Sequence, residues 1–407
     1  MNDGDRNTKL YNSLQRVRKY YRPLAYLRDG EKILDSEESI VNHVVSHFYN
    51  IFNGTDIDRD IRLDVISSLV TNEDNLLLNS TPIDHEIKDT VFSLKKDGAP
   101  GPDGFNNGFY QKHRDVIQDD VCRMVKTLFA NGTLPHVLNA QFLVLIPKTD
   151  NANEIYLFRP IVLIKSIFKI ITKLIANRIM VISNRIVSWN QFGFIKVRSI
   201  QDCIYLASES TNLLNRKTRG GNVAIKIYIA KDFDTIDRKF MFKVLRQFGF
   251  NETFINKVKT LFNSAHISIL INGSPRGYFK CSNGVRQGDP LFSILFSIAE
   301  DYLSRLLSQS LENQNIKPIT AARNLIAPSH LYADDIIIFI QGDKKNINNL
   351  KNILIHYKEV FGQHINWNKS YIIFIKDFFP DRKLIISSFL GVKEGSLPFT
   401  YLGVPIF

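Results

Sequence analysis

His330-Leu331-Tyr332-Ala333-Asp334-Asp335-Ile336-Ile337-Ile338-Phe339 sets two adjacent carboxylates between two apolar segments. Ile336 to Ile340 is β-branched and aromatic, which favours a strand, and Leu331-Tyr332 reads as the end of a preceding one. The stretch predicts a hairpin with the acidic pair at its turn. Asp suits a turn because its side chain bonds nearby backbone N–H groups. Two neighbouring negative charges repel and call for a counter-charge. Their hard oxygen donors suit magnesium. A solvent-exposed Asp-Asp turn is the plainer alternative.

The surrounding chain has 407 residues, enough for two or three packed subdomains. Its 44% hydrophobic content excludes a disordered chain. Lys and Arg outnumber Asp and Glu by 52 to 40, a net charge of +12 that suits a polyanionic partner. Cys122, Cys203 and Cys281 are odd in number and far apart, which argues against a disulfide framework or a zinc site and fits a reducing compartment. No apolar run approaches the ~18 residues of a membrane span. The polar N-terminus does not resemble a secretory signal. These features place the chain inside the cell, in nucleus or cytoplasm, with no membrane partner.

Working outward, Arg16-Val17-Arg18-Lys19-Tyr20-Tyr21-Arg22 interleaves cations with aromatics, a pattern for phosphates and bases or for a solvated helix face. Ser36 to Phe52 predicts an amphipathic helix capped by Ser36. Asp97-Gly98-Ala99-Pro100-Gly101-Pro102-Asp103-Gly104-Phe105 breaks the helical pattern as a rigid, exposed loop. Phe142 to Lys148 and Phe158 to Leu163 predict two strands whose pairing brings Lys148 near Arg159. Such a cation pair suits a triphosphate, or is simply two surface charges. Ser166 to Val187 predicts a helix with a mostly apolar face. Val223 to Ala230 predicts a strand running into a helix. Asn272-Gly273 predicts the turn of a second hairpin. Asp289 and Pro290 read as N-cap and N1 of an apolar helix, and Lys345 to Phe361 as another helix.

Several of these stretches, in order, resemble the reverse transcriptases of LINE-type (non-long-terminal-repeat) retrotransposons, nearest to plant lineages. Tyr332-Ala333-Asp334-Asp335 resembles that family's Tyr-Ala-Asp-Asp box. Ala99-Pro100-Gly101-Pro102-Asp103-Gly104 resembles an element near the start of the fingers. Gly284-Val285-Arg286-Gln287-Gly288-Asp289-Pro290-Leu291 is an eight-residue match to the template- and nucleotide-facing motif. Ile365-Asn366-Trp367-Asn368-Lys369-Ser370 resembles the fourth box, and Leu397 to Pro405 the primer-grip hairpin.

The resemblance implies an α+β, right-hand polymerase fold. Residues 1–60 would form an N-terminal helical linker region, and 60–160 the fingers, joined by 250–283. Residues 161–407 would form a ferredoxin-like palm ending at the primer grip, with thumb, RNase H region and endonuclease absent. It implies DNA synthesis on an RNA template from a DNA primer and deoxynucleoside triphosphates, through two magnesium ions. Asp334 and Asp335 would be the catalytic metal ligands. Lys148, Arg159, Phe233, Gln287, Gly288 and Lys369 would meet the nucleotide, template or leaving pyrophosphate, with Phe233 excluding a ribose 2′-hydroxyl.

One position departs from the pattern decisively. In the family, the strand of the first acidic box carries an Asp that bridges both metals; here Tyr228 stands in its place. Asp232 is the next carboxylate along, but four residues displace it by about 13 Å in a strand or about 6 Å in a helix. Metal–oxygen bonds tolerate tenths of an ångström. Val197 replaces a family Gly, a poor residue if the backbone there needs positive φ. Phe292-Ser293 replace Ser-Pro. The expectation is a degenerate polymerase domain, correct in fold and inactive. The alternatives are a non-catalytic RNA-binding protein and an RNA-dependent RNA polymerase; Phe233 and Arg286-Gln287-Gly288 argue against the second.

Overall fold

The computed structural model describes residues 24–53, 63–218, 220–230, 236–282, 284, 288–319, 329–361, 364–375 and 378–407. Phe233, Gln287, Asp232 and the basic stretch 16–22 lie outside them.

Two strands, β1 (Leu27–Asp29) and β2 (Lys32–Leu34), pair antiparallel. Helix α1 (Glu37–Phe52) starts at Ser36, whose hydroxyl accepts from the Ser39 N–H. Its Ile40, Val44, Phe48 and Phe52 repeat at four-residue spacing and bury together. Helices α2 (Asn72–Asn79), α3 (Asp84–Ser93), α4 (Asn107–Lys112) and α5 (Arg114–Asn131) follow. The Gly- and Pro-rich loop before α4 is exposed for most of its length, but Gly101 is buried. A Cβ on Gly101 would stand 2.4 Å from the Lys165 backbone nitrogen, so only glycine permits this approach.

Strands β3 (Ala140–Pro147) and β4 (Phe158–Ile164) form a hairpin leading into helix α6 (Ser166–Ile186). Helix α7 (Ile200–Asn212) precedes strand β5 (Asn222–Ala230). Helix α8 (Arg238–Phe248) ends on Gly249 at φ 98°, and helix α9 (Glu252–Asn263) begins at the capping Asn251. Strands β6 (His266–Ile271) and β7 (Ser274–Lys280) turn at Asn272-Gly273, both with positive φ. Four strands make one sheet in the order β4-β3-β6-β7, with β3 and β6 parallel. The β1–β2 hairpin and α1 share its hydrophobic cluster.

Helix α10 (Pro290–Glu312) is buried along most of its length. Strands β8 (Ser329–Tyr332) and β9 (Asp335–Gln341), helix α11 (Lys344–Phe361), and strands β10 (His364–Ile365) and β11 (Tyr371–Phe374) complete a second sheet with β5. Helix α12 (Pro380–Leu390) and strand β12 (Lys393–Gly395) extend its edge, and β13 (Phe399–Tyr401) with β14 (Val404–Ile406) forms a separate hairpin. The order is β12-β11-β5-β9-β8, with β10 also on β5. Taken alone, β5-α10-β8-β9-α11-β11 is a β-α-β-β-α-β run whose sheet reads fourth, first, third, second strand.

Strand alternation gives this sheet two buried faces. Val223, Ile225, Ile227 and Ile229 join the large core with α10 and α11. Ala224, Ile337 and Phe339 pack instead with Cys203 of α7 and Phe399 and Tyr401 of the β13–β14 hairpin. Among the described residues, no helix is long and apolar enough to cross a membrane.

Candidate functional site

The β8–β9 hairpin turns through Ala333 and Asp334, between the paired Tyr332 and Asp335. Ala333 has φ 54°. The Gln191 side-chain oxygen accepts from the N–H groups of both Ala333, at 3.0 Å, and Gly193, at 2.8 Å. The Phe192 N–H donates to the Leu331 carbonyl at 2.7 Å, and the Leu331 N–H to the Asn190 carbonyl at 2.9 Å. A Cβ on Gly193 would meet the Ala333 nitrogen at 2.4 Å. The Gln191-Phe192-Gly193 segment thus clamps the acidic turn from behind, and glycine is required for the contact.

Beside this hairpin runs β5. Its register pairs Tyr228 with Asp335 and Lys226 with Ile337. Residue 228 therefore occupies the position across from the acidic pair, and it brings a phenol there. The Tyr228 N–H donates to Ser370 Oγ at 3.0 Å, and the Asn366 N–H to the Tyr228 carbonyl at 2.8 Å. Between β10 and β11 the chain loops away, so the turn bearing Lys369 wraps the backbone of Tyr228. Lys369 itself is exposed. The Tyr228 and Tyr371 rings lie 6.4 Å apart, and burial with the nearby Tyr228 and Asp335 pushes the Tyr371 hydroxyl up to about 12.

Lys226, which sequence reasoning passed over, completes the centre. It is 3% exposed. Its Nζ lies 3.4 Å from Asp335 Oδ1 and donates to the Thr400 carbonyl at 2.9 Å. It also stands 4.7 Å from the Tyr228 ring centroid and 5.4 Å from that of Tyr401. Tyr401 is fully buried, its hydroxyl 3.2 Å from the His330 carbonyl and 3.3 Å from the Asp335 carbonyl. Asp335 is shifted upward, chiefly by burial; Lys226 opposes the shift and Asp334 adds to it. The signal for Lys226 was one charge inside eight otherwise uncharged residues, on the same strand face as Ala224 and Tyr228.

Glu300 of α10 is another carboxyl whose protonation Asp334 influences, but it does not fill the gap at 228. It is fully buried, accepts from the Tyr357 hydroxyl at 2.7 Å, and burial holds its protonation range well above that of an ordinary carboxylate. Among the described residues no cluster of three His, Cys, Asp or Glu side chains can hold a metal ion. With a phenol at 228 and an ammonium on Asp335, the donor set among the described residues does not fit a two-metal centre.

The cations expected at the nucleotide belong to the β3–β4 hairpin of the four-stranded sheet. Arg159 pairs with Ile146, and Lys148 follows β3 directly, so the β3–β4 hairpin brings both to one end. Both are exposed, and Lys148 Nζ bonds the Tyr156 carbonyl at 2.9 Å. Gly288 adopts φ 93°, with open space where a Cβ would be. Asp289 caps α10 through the Leu291 N–H and accepts from the Thr172 hydroxyl of α6, each at 2.9 Å. Val197 has φ 74°, a conformation that favours glycine. Gln287 and Phe233 fall outside the described residues.

A profile for reverse transcriptase (RNA-dependent DNA polymerase) matches residues 146–406. The chain is 26% identical over 372 residues to the transposon TX1 uncharacterized 149 kDa protein of Xenopus laevis, covering 90% of this chain and 28% of that protein. It is 25% identical over 280 residues to the retrovirus-related Pol polyprotein from type-2 retrotransposable element R2DM of Drosophila melanogaster, covering 68% of this chain and 25% of that one. The chain spans about a quarter of the length of these two relatives.

Proposed function

The chain belongs to the reverse transcriptase family, and we propose that it is the polymerase domain of a non-long-terminal-repeat retrotransposon, silenced at its catalytic centre. The relatives named above as transposon and retrotransposable-element proteins support the element class. In this reading the sheet holding β5, β8, β9 and β11 is the palm, and its strand order is that of a ferredoxin-like unit. The strands β3, from residues 60–160, and β6–β7, from 250–283, belong to the fingers together with β4, which runs past residue 160 to Ile164, and the β13–β14 hairpin is the primer grip.

The substrates implied are an RNA template, a DNA primer and deoxynucleoside triphosphates, held by Lys148, Arg159, Phe233, Gln287, Gly288 and Lys369. Positioning and charge neutralisation are almost all that a protein contributes to phosphoryl transfer. Here the pairing of Tyr228 with Asp335 carries the conclusion. A neutral phenol stands where the reaction needs a fixed negative oxygen, so charge developing at the attacking and leaving oxygens finds no matched environment. The chain retains the means to bind nucleic acid, with a net charge of +12, and that binding weakens with salt.

Primer extension on homopolymer RNA with magnesium, native chain beside Tyr228→Asp, tests this. The native chain leaves primer length unchanged while retaining salt-sensitive RNA binding. Template-dependent extension by the native chain overturns the proposal. Extension by Tyr228→Asp alone assigns the defect to this one side chain.

A further inference from the structure

We infer that the ammonium of Lys226 supplies the acidic turn with its counter-charge from inside the fold, which makes Asp334-Asp335 an ion-pair site in this chain and not a metal site. The inference rests on reading this hairpin as the polymerase centre, but not on whether the chain extends primers.

Among the described residues, four groups surround Lys226 Nζ, and each presents negative potential. They are Asp335 Oδ1 at 3.4 Å, the Thr400 carbonyl oxygen at 2.9 Å, and the faces of Tyr228 and Tyr401 with centroids at 4.7 and 5.4 Å. Aromatic faces attract cations through their quadrupole. The side chain is 4% exposed, so its charge has left bulk water and depends on these groups. Withdrawing the ammonium would strip both Asp335 and the Thr400 carbonyl of a partner. Lys226 is therefore held, and it is not a surface lysine that a solution cation can displace.

A magnesium ion bonded to Asp335 Oδ1 at about 2.1 Å would lie within roughly 5.5 Å of that ammonium. Two positive centres would then share one half-buried carboxylate, and their mutual repulsion, strengthened at low dielectric, would subtract from the binding of the metal. Residue 228 ties the two effects together. Its phenol removes a metal ligand, and its ring face forms one wall of the lysine cage. One side chain thus weakens the metal site and strengthens the internal cation.

The test uses the whole chain and Mn2+ as the probe, followed by the free-ion signal in electron paramagnetic resonance. Wild type and Asp335→Asn should leave equal free Mn2+ at millimolar concentrations. The double variant Tyr228→Asp/Lys226→Met should bind Mn2+ at least tenfold more tightly than wild type. Mn2+ that wild type retains and Asp335→Asn releases overturns the inference, whatever the primer-extension result. So does equal binding by wild type and a folded double variant. If the double variant does not fold, the wild-type comparison still decides. A second readout is the denaturation cycle of Lys226→Met and Asp335→Asn in metal-free buffer. At least tenfold coupling in the unfolding constant is expected, and strict additivity overturns the ion pair. Inactivity in primer extension together with Asp335-dependent Mn2+ binding sinks this inference and leaves the proposed function standing.

Discussion

Tyr228 and Asp335 are direct partners in the antiparallel ladder between β5 and β9. Opposed residues in such a ladder bring their Cβ atoms to about 5 Å, so like charges there destabilise. Tyr228→Asp should therefore lose about 1–2 kcal/mol in a chelating buffer. Millimolar magnesium should raise its melting temperature, because an ion that binds only the folded state stabilises it. The native chain should melt at the same temperature with and without magnesium. Differential scanning calorimetry under both conditions reads both effects.

Val197 stands at φ 74° and is 84% exposed. A β-branched residue in the left-handed region carries about 1–2 kcal/mol of strain, and exposure leaves it little packing in return. Val197→Gly should stabilise the chain by about 0.5–1 kcal/mol after the extra backbone entropy of glycine is subtracted. Chemical denaturation midpoints provide the measurement, and a loss of stability would contradict the strain.

His330 is fully buried, its Nε2 is 3.1 Å from the Ser210 hydroxyl, and burial pushes its pKa down to about 4. The unfolded imidazole titrates near 6.5. Between those two values the unfolded state binds a proton that the folded state refuses, so stability falls as pH drops from about 6.5 to about 4. Above 6.5 this contribution is constant. The full difference is about 3 kcal/mol. His330→Gln removes it, and the gap between the two stability curves should narrow steadily from pH 7 to pH 4.5. Parallel curves would show that the histidine titrates normally.

Tyr401 places its hydroxyl within reach of the His330 and Asp335 carbonyls and 3.3 Å from Cys203 Sγ. Tyr401→Phe keeps the ring beside Lys226 and deletes only these contacts. A loss of about 1–2 kcal/mol is expected. Amide exchange at β8 and β9 should quicken with it, since their carbonyls lose a partner.

Local signals in the sequence carried much of the architecture. The Ser36 and Asp289 caps and the Asn272-Gly273 turn depend on neighbours a few residues away, and all stand in the structure. The acidic hairpin was legible for the same reason, and Val197 was marked by its residue type at a turn. What stayed hidden depends on distant chain. Lys226 reads as an ordinary strand cation until Thr400 and Tyr401, some 174 residues on, close over it. The lone strand pair at 27–34 is too short to show periodicity, and its burial comes from the sheet of β3 and β6. Glu300 reads as the polar side of a helix, yet α10 is enclosed on nearly every side.

The clasp of β13 on Lys226 has a bearing on biosynthesis. A ribosome delivers β5, β8 and β9 well before residues 399–401 emerge. Until they do, the nascent domain carries a cation in its interior lacking the Thr400 carbonyl and one of its two aromatic walls. Nonsense changes upstream of residue 399 would thus do more than trim an edge; they would leave the heart of the domain electrically unfinished and exposed to proteolytic surveillance.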